Sequence, residues 1–321
     1  MHNQILVTGA AGFIGSAVSM SLLTKGYQVI GIDSFDPFYS RSSKEKNLHQ
    51  LIPNSGFRFV EMDITHPAKR WPEIKADAII HLAAKAGVPG SILDVGAYLS
   101  NNILGTQQVL DWMVLNGCQN IVFASSSSVY GQNSPGPFKE TETTDFPISP
   151  YATTKKAGEL LLFNYHAIHK INVLICRYFS VYGPRQRPDL VLHKFTKLIL
   201  QNQPIPVFGN GLSRRDYTHI SDIVSGTLAG LQHLQNHSDV YEIFNLGSGN
   251  PITLLKLIET IYTATGKKEQ IQYLPPQQGD MPETFADIEK AKLMLNYNPG
   301  VGIEEGVASF LSWFKNENPS Y

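Results

Sequence analysis

Cysteine is scarce in this chain, with 2 among 321 residues. Two thiols cannot build a disulfide framework, and Cys118 and Cys176 show no metal-ligand spacing. Both sit in apolar surroundings and read as buried, reduced thiols. Long apolar runs are missing as well, since no stretch approaches the ~18 residues of a membrane helix. The amino terminus lacks a basic segment, and glycines break its apolar run from Ile5, so no signal peptide is expected. Charge of one sign is also lacking: 26 Lys and Arg against 27 Asp and Glu leave a formal net charge of -1. Nucleic acid and anionic membranes therefore have no electrostatic reason to bind. Short repeats and low-complexity segments are absent. A soluble, cytoplasmic protein is expected, and 42% hydrophobic residues suffice for a sizeable core in two lobes.

The first half alternates short apolar runs with helical periods. Strands are expected at 5–7, 28–33, 57–62, 78–81, 121–124 and 173–176, and helices at 13–23, 98–115 and 151–169. Strands separated by helices imply βαβ units, hence an α/β fold with a Rossmann-type, doubly wound parallel sheet and right-handed crossovers. After Arg177, prolines 184, 188, 204 and 206 and a Gly209-Asn210-Gly211 turn break the alternation. Helices at 193–200, 222–233 and 254–262 and a strand at 243–246 point to a smaller mixed α/β lobe. It should cover the carboxyl ends of the strands, where such sheets bind ligands. The expected division gives 1–178, with a returning segment at about 220–245, to the sheet domain. Residues 179–219 and 246–321 form the smaller lobe.

Thr8-Gly9-Ala10-Ala11-Gly12-Phe13-Ile14-Gly15 joins the first strand to the first helix, its glycines recurring every three residues. Such a turn brings backbone close to a pyrophosphate, and the helix amino terminus supplies N–H donors. Glycine-rich turns also serve packing, but this placement favours a dinucleotide. Asp33 ends the second strand, where a carboxylate accepts from the adenosine ribose and repels a 2′-phosphate. That favours NAD over NADP, although Asp33 also suits a turn before Ser34. Asp63 reads equally as an adenine contact or a turn residue. Arg41 lies too far along to be assigned to a phosphate.

The run Ser149-Pro150-Tyr151-Ala152-Thr153-Thr154-Lys155 places a phenol and an ammonium on one helix face. An unperturbed phenol, with a pKa of roughly 10, is a poor base at neutral pH. A fixed cation nearby stabilises the phenolate and brings proton transfer within reach. Tyr/Lys pairs at this spacing are common on solvated helices, so their weight depends on the rest of the chain.

That weight comes from motifs in a fixed order. The glycine turn, Asp33, Asp63-Ile64, His81-Leu82-Ala83-Ala84, Ser125-Ser126-Ser127-Ser128-Val129-Tyr130-Gly131 and Tyr151-x-x-x-Lys155 come first. Arg177-Tyr178-Phe179-Ser180-Val181-Tyr182-Gly183-Pro184, Arg215-Asp216-Tyr217 and Asn245-Leu246-Gly247 follow. Over nearly the whole chain this series resembles the extended short-chain dehydrogenases/reductases. The resemblance implies a catalytic hydroxyl at Ser126, with Ser127 its nearest rival. It implies that Lys155 binds the nicotinamide ribose and lowers the Tyr151 pKa. Further NAD contacts are implied for Gly9, Gly12, Phe13, Ile14, Gly15, Asp33, Asp63, Ile64, Leu82, Ala83, Ala84, Asn101 and Phe179. Asn101 reads otherwise as polar helix surface and Phe179 as core.

Within that class the chain is similar to nucleotide-sugar 4-epimerases. The related 4,6-dehydratases carry Asp-Glu where this chain has Ser127-Ser128, and UDP-xylose-type decarboxylases place a Glu in that region. The segment from Tyr182 to Leu190 resembles the Arg-Pro-Asp-Met stretch of UDP-glucuronate 4-epimerases, with Leu190 in place of Met. This implies NAD, a UDP-sugar substrate such as UDP-glucuronate or UDP-galacturonate, and a homodimer through the 98–115 and 151–169 helices. An arginine pairs with a carboxylate through two parallel bonds. Arg187 is therefore the expected partner of the sugar C6 carboxylate, helped by Ser127, Ser128 and Ser180. Arg185 competes for that role, and a surface arginine in a proline-rich loop is the plain alternative. Arg215 matches a diphosphate-binding arginine, Asp280 lies in the nucleotide-binding segment, and the Pro206–Gly209 run reads equally as a neighbour of the uracil or as a plain β-turn. Phe35-Asp36-Pro37-Phe38-Tyr39 departs from the usual pattern, which leaves its role open. The rivals are an epimerase of neutral or N-acetylated UDP-hexoses, a decarboxylase, and a non-catalytic NAD(H)-binding regulator.

Overall fold

Ile5 and Val7 bury themselves in one apolar cluster with Val29 and Ile80, whereas Leu6 joins another with Ile30 and Ile79. This period of two fills both faces of the sheet, the condition an all-parallel sheet requires. The computed structural model describes residues 4–131, 136–276 and 283–319. Six strands, β1 (Gln4–Thr8), β2 (Gln28–Asp33), β3 (Phe57–Glu61), β4 (Ala78–His81), β5 (Asn120–Ser126) and β6 (Asn172–Tyr178), join the Tyr241–Leu246 strand in one seven-stranded sheet. Across it the order is Tyr241–Leu246, β6, β5, β4, β1, β2, β3, with every pair parallel. The chain steps outward from β1 to β3 and then returns to the other side of β1 with β4. The crevice at such a reversal, beyond the carboxyl ends of the strands, is where α/β sheets take ligands.

A third apolar cluster stands apart from the sheet. It gathers Leu192, Phe195 and Ile199 of the Val191–Leu200 helix, Leu257 and Ile261 of the Leu254–Thr265 helix, and Val307, Phe310 and Phe314 of the Ile303–Glu317 helix. Burying one such side chain contributes roughly 1.5–3 kcal/mol, so these helices make a core of their own.

Among the elements that differ from expectation, two border the crevice. The single helix expected at 98–115 is divided into Val95–Tyr98, a π-helical stretch at Leu99–Leu104, and Gly105–Asn116. The wider turn lets Asn101 and Asn102 both accept from the Lys85 N–H, at 3.1 and 2.8 Å. The Arg41–His49 helix was not expected, because its buried face is Lys44, Asn47 and Leu48, not an apolar stripe. No described helix is long and apolar enough to cross a membrane.

Candidate active site

The turn after β1 is shaped by steric limits. Gly9 has a left-handed φ of 73°, and a side chain there would meet the Ala83 N–H at 2.9 Å. A Cβ on Gly15 would collide with the Gly9 carbonyl oxygen. Gly12 caps the Phe13–Thr24 helix with no side-chain acceptor, so first-turn N–H groups remain for an anion. Behind the turn, Thr8 Oγ1 accepts from the N–H groups of Leu82 and Ala83, both at 3.1 Å. Thr8 Oγ1 also lies 2.7 Å from His81 Nδ1, and His81 Nε2 lies 3.0 Å from Thr106 Oγ1. Thr106 spends its own proton on the Asn102 carbonyl at 2.6 Å, which assigns the His81 proton to Nε2. Burial, and secondarily the Lys155 charge, push His81 down to about 3, so it stays neutral.

Asp33 accepts from the N–H groups of Phe35 at 2.8 Å and Ala11 at 3.2 Å. Lys44 Nζ stands 3.7 Å away. Burial raises the Asp33 pKa, while Lys44 and the two N–H groups pull it back. Arg41 is committed to Glu45 and Glu61, at 2.9 and 2.7 Å, and so is not aimed at a phosphate. Glycine turn, helix amino terminus and carboxylate together fit the pyrophosphate and adenosine ribose of NAD.

One continuous cavity of about 840 Å³ runs from this turn into the smaller lobe. Gly9, Gly12, Phe13, Ile14, Gly15, Asp33, Ile64, Leu82, Ala83, Ala84, Asn101 and Phe179 line it. So do Ser126, Tyr151, Lys155, Ser180, Arg187 and Arg215, with Pro206 and Phe208 toward the far end. Asp63, Ser127, Ser128 and Arg185 are not on this wall. Asp63 turns its carboxylate back onto the Thr65 N–H and hydroxyl, both at 2.8 Å, as a turn residue does. Asp280 lies outside the described residues.

The Pro150–His169 helix starts where Ser149 accepts from the Ala152 N–H at 3.2 Å, with Pro150 in the first position. That start points Tyr151 and Lys155 into the cavity. Lys155 Nζ donates to the Ala124 carbonyl at 2.7 Å and lies 5.2 Å from the centre of the Phe123 ring. Burial pushes Lys155 down to about 8, and Glu159 opposes that fall. Burial raises the Tyr151 pKa, whereas a hydrogen bond with Ser126 and the Arg187 charge lower it. Arg187 thus acts on the phenol as a cation, while the Lys155 ammonium donates to Ala124. Ser126 Oγ accepts from the N–H and hydroxyl of Ser128, at 3.2 and 3.0 Å, so its own proton is free to be donated.

Arg187 is held by Asp189 through Nε at 2.9 Å and Nη2 at 2.8 Å, with its guanidinium 5.4 Å from the Phe38 ring centre. Asp36 reaches across the crevice to Lys85 Nζ at 2.7 Å, and its carbonyl accepts from Lys44 Nζ at 2.9 Å. The open question over the Phe35–Tyr39 run is thereby answered structurally: it bridges the crevice. Sequence reasoning missed Lys44, which has no motif around it, and Lys85, which lies just past the His81–Ala84 motif. Arg185, at a left-handed φ of 68°, donates to Gln50 Oε1 at 2.6 Å. It faces a separate groove between the Phe13–Thr24 and Ile220–Asn236 helices. Beside Arg215, the fully buried Asp216 accepts from Thr218 Oγ1, the N–H and Oγ of Ser248, and the N–H groups of Gly249 and Ala286, at 2.7 to 3.1 Å. Arg214 pairs outward with Glu283.

The profile of the NAD-dependent epimerase/dehydratase family matches residues 5–247. UDP-glucuronate 4-epimerase of Thermodesulfobacterium geofontis is 42% identical, over 97% of this chain and 95% of its own length. The crystal structure of UDP-glucuronic acid 4-epimerase from Bacillus cereus, in complex with UDP-glucuronic acid and NAD, superposes with a TM-score of 0.91. It is 37% identical and the match covers 98% of this chain and 99% of that one. UDP-glucose 4-epimerase of Thermotoga maritima, solved with UDP-glucose, has a TM-score of 0.88 at 31% identity, covering 98% and 99% of the two chains. With its glycine turn, parallel sheet and Ser126–Tyr151–Lys155 cavity, the chain belongs to the NAD-dependent epimerase/dehydratase family.

Proposed function

We propose that this protein is an NAD-dependent 4-epimerase that interconverts UDP-glucuronate and UDP-galacturonate. The observation that carries the choice of sugar is Arg187, a guanidinium on the same cavity wall as Ser126, Tyr151 and Lys155. Full-length similarity to UDP-glucuronate 4-epimerases supports the same reading. The glycine turn and Asp33 hold the cofactor, and Lys155 holds its nicotinamide ribose. Bound NAD supplies a reversible hydride acceptor for the sugar C4.

Tyr151 takes the proton of the sugar 4-OH, a transfer worth typically 10²–10⁴-fold in rate. Ser126 donates a hydrogen bond to the same oxygen and stabilises the charge that develops there. The 4-keto sugar turns over in the cavity and takes the hydride back from the cofactor at C4 on the opposite face, while Tyr151 gives the proton back to the 4-oxygen. A 4-keto uronic acid is a β-keto acid, prone to lose carbon dioxide when the breaking bond aligns with the carbonyl π system. Arg187 and Ser180 oppose that loss by holding the carboxylate near the ring plane. Because Asp189 occupies Nε and Nη2, the sugar carboxylate meets the remaining Nη1 edge of Arg187. Ser128 acts through Ser126, to which it donates, and Ser127 is kept only as a substrate neighbour. Arg215 takes the diphosphate and Asp280 the nucleotide end. Residues 1–178 with about 220–245 serve the cofactor, and 179–219 with 246–321 serve the nucleotide sugar.

The functional unit is a homodimer in this reading. Leu160, Phe163 and Ile168 on the Pro150–His169 helix and Leu104 and Leu115 near the Gly105–Asn116 helix are exposed large apolar side chains, which a second copy would cover. Incubation with UDP-glucuronate, followed by proton NMR, should yield UDP-galacturonate. Turnover of UDP-glucose or UDP-N-acetylglucosamine with none of UDP-glucuronate would instead establish the neutral-sugar rival.

A further inference from the structure

One turn beyond Lys155 on the same helix lies Glu159, a carboxylate that the chemistry above does not use. It is 2% exposed, and so is cut off from water. Arg177, 1% exposed, grips it from β6 with Nε on Oε1 at 2.9 Å and Nη2 on Oε2 at 2.8 Å. From the end of β5, Ser125 Oγ donates to Oε1 at 2.6 Å. Lys156 Nζ stands 3.7 Å from Oε2, and the Arg177 guanidinium lies 4.8 Å from the Tyr130 ring centre. Three elements that end at the cavity therefore meet on one carboxylate.

Stability does not explain such a pair. Desolvation costs several kcal/mol per ion, and apolar residues of similar volume often hold a core as well or better. Geometry offers another reason. Ser125 lies between Ala124, whose carbonyl holds Lys155 Nζ at 2.7 Å, and Ser126, whose hydroxyl meets Tyr151. Fixing Ser125 from below fixes both neighbours.

We propose that Glu159, clamped by Arg177, is a positioning residue for the proposed reaction: it locks the Ala124–Ser126 tip of β5 against the catalytic helix and sets a negative charge one turn below Lys155. The proposal rests on the Ser126–Tyr151–Lys155 reading of the site. The groups around Lys155 leave that charge to Glu159. From β4 comes His81, which is neutral, and from β5 the Phe123 ring and the Ala124 carbonyl. From the π-helical stretch comes the uncharged Asn102, bonded to Thr154 at 2.9 Å. The helix itself adds Tyr151 and Lys156, and β6 adds Arg177, already gripped by Glu159. Glu159 is the carboxylate that opposes the loss of the Lys155 proton.

Three variants separate positioning from filling. Ser125→Ala cuts the link and leaves both charges paired. Glu159→Gln removes the charge while keeping the shape. Glu159→Met combined with Arg177→Met refills the core without ions and remains informative if Glu159→Gln fails to fold. Turnover of UDP-glucuronate is measured against pH, and Lys155 is titrated directly by NMR of ¹³Cε-labelled lysine, its resonance identified with Lys155→Arg. Ser125→Ala should lower kcat roughly tenfold with little change in KM, as expected for a displaced reacting group. Glu159→Gln and the double variant should move the Lys155 titration down from about 8. The shift should be roughly half a pH unit or more, with the alkaline limb of kcat following it. Parental kcat and an unmoved Lys155 titration in the folded double variant would overturn the proposal. If the parent turns over no UDP-sugar, the functional reading has failed, and the Lys155 titration alone still decides whether Glu159 sets its charge.

Discussion

The two ends of the cavity are held by different physics. At the cofactor end, backbone contact and uncharged hydrogen bonds do most to fix the shape, through the Gly9–Gly15 approach and the chain from Thr8 through His81 to Thr106, beside the buried Asp33–Lys44 pair. At the sugar end, ion pairs do so, with Asp189 on Arg187 and Asp36 on Lys85. A steric end admits one geometry and tolerates little change. An end held by charge loosens when its charges are altered, and what it prefers to bind changes with them. The proposed catalytic group sits at the junction, where Tyr151 answers both to Ser126 and to Arg187.

Substitutions can break this contrast, starting with the junction. Tyr151→Phe should lower kcat about 10³-fold, within the range for a lost general base. NAD should still co-purify, and a loss below tenfold would remove Tyr151 from the proton path. Arg187→Leu should cost uronate turnover about 10- to 100-fold, the worth of a hydrogen bond to a charged group. Turnover of a neutral UDP-hexose, where present, should change far less, and equal losses would deny Arg187 a role in selection. The same variant should move the acid limb of kcat to higher pH, because a positive charge that lowers the Tyr151 pKa is gone.

The cofactor end can be tested with acid. His81 is neutral in the fold at about 3 against an ordinary 6.5. Unfolding lets it take a proton, so its contribution is complete above 6.5 and is lost as the pH falls toward 3. The slope is about 1.4 kcal/mol per pH unit. Urea unfolding at pH 7 and pH 5 should show roughly 2 kcal/mol less acid sensitivity in His81→Gln than in the parent. Equal sensitivity would contradict the buried, neutral ring. The smallest effect belongs to Asp36→Asn. Its ion pair with Lys85 is partly exposed, at 28% and 23% for the two side chains. Such pairs are worth about 0.2–1 kcal/mol. A few-fold faster release of NAD, followed by cofactor fluorescence, is the expected result, and no change would leave the bridge without a part in retention.

The steric end was also the end legible in the sequence. Glycine spacing, Asp33 and the Tyr151/Lys155 interval are local signals, because the contacts that need them lie within one turn or one strand. The sheet was legible for the same reason, since alternation along β1 reports directly which face each residue occupies. The sugar end was legible only in part. Arg187 was found by its motif, and its bond to Asp189 is local, but its placement over Phe38 depends on how the 34–39 segment crosses the crevice. Asp36 and Lys85 are 49 residues apart, and nothing in the sequence pairs them. Ser127 and Ser128 share a run with Ser126, yet the short turn after β5 takes them off the wall. Run composition does not reveal which hydroxyl faces inward.

The buried Asp216 has a consequence for the order in which the molecule is completed. Its acceptors are satisfied by donors from residue 218, from 248 and 249, and from 286. A buried carboxylate without those donors is costly. On the ribosome, chains emerge amino terminus first, so the first turn and the catalytic helix can settle while Asp216 still lacks its last partner. The seat of Arg215 is finished only after residue 286 has emerged. Shortened chains ending before that point would keep the cofactor turn but leave the nucleotide end unbuilt.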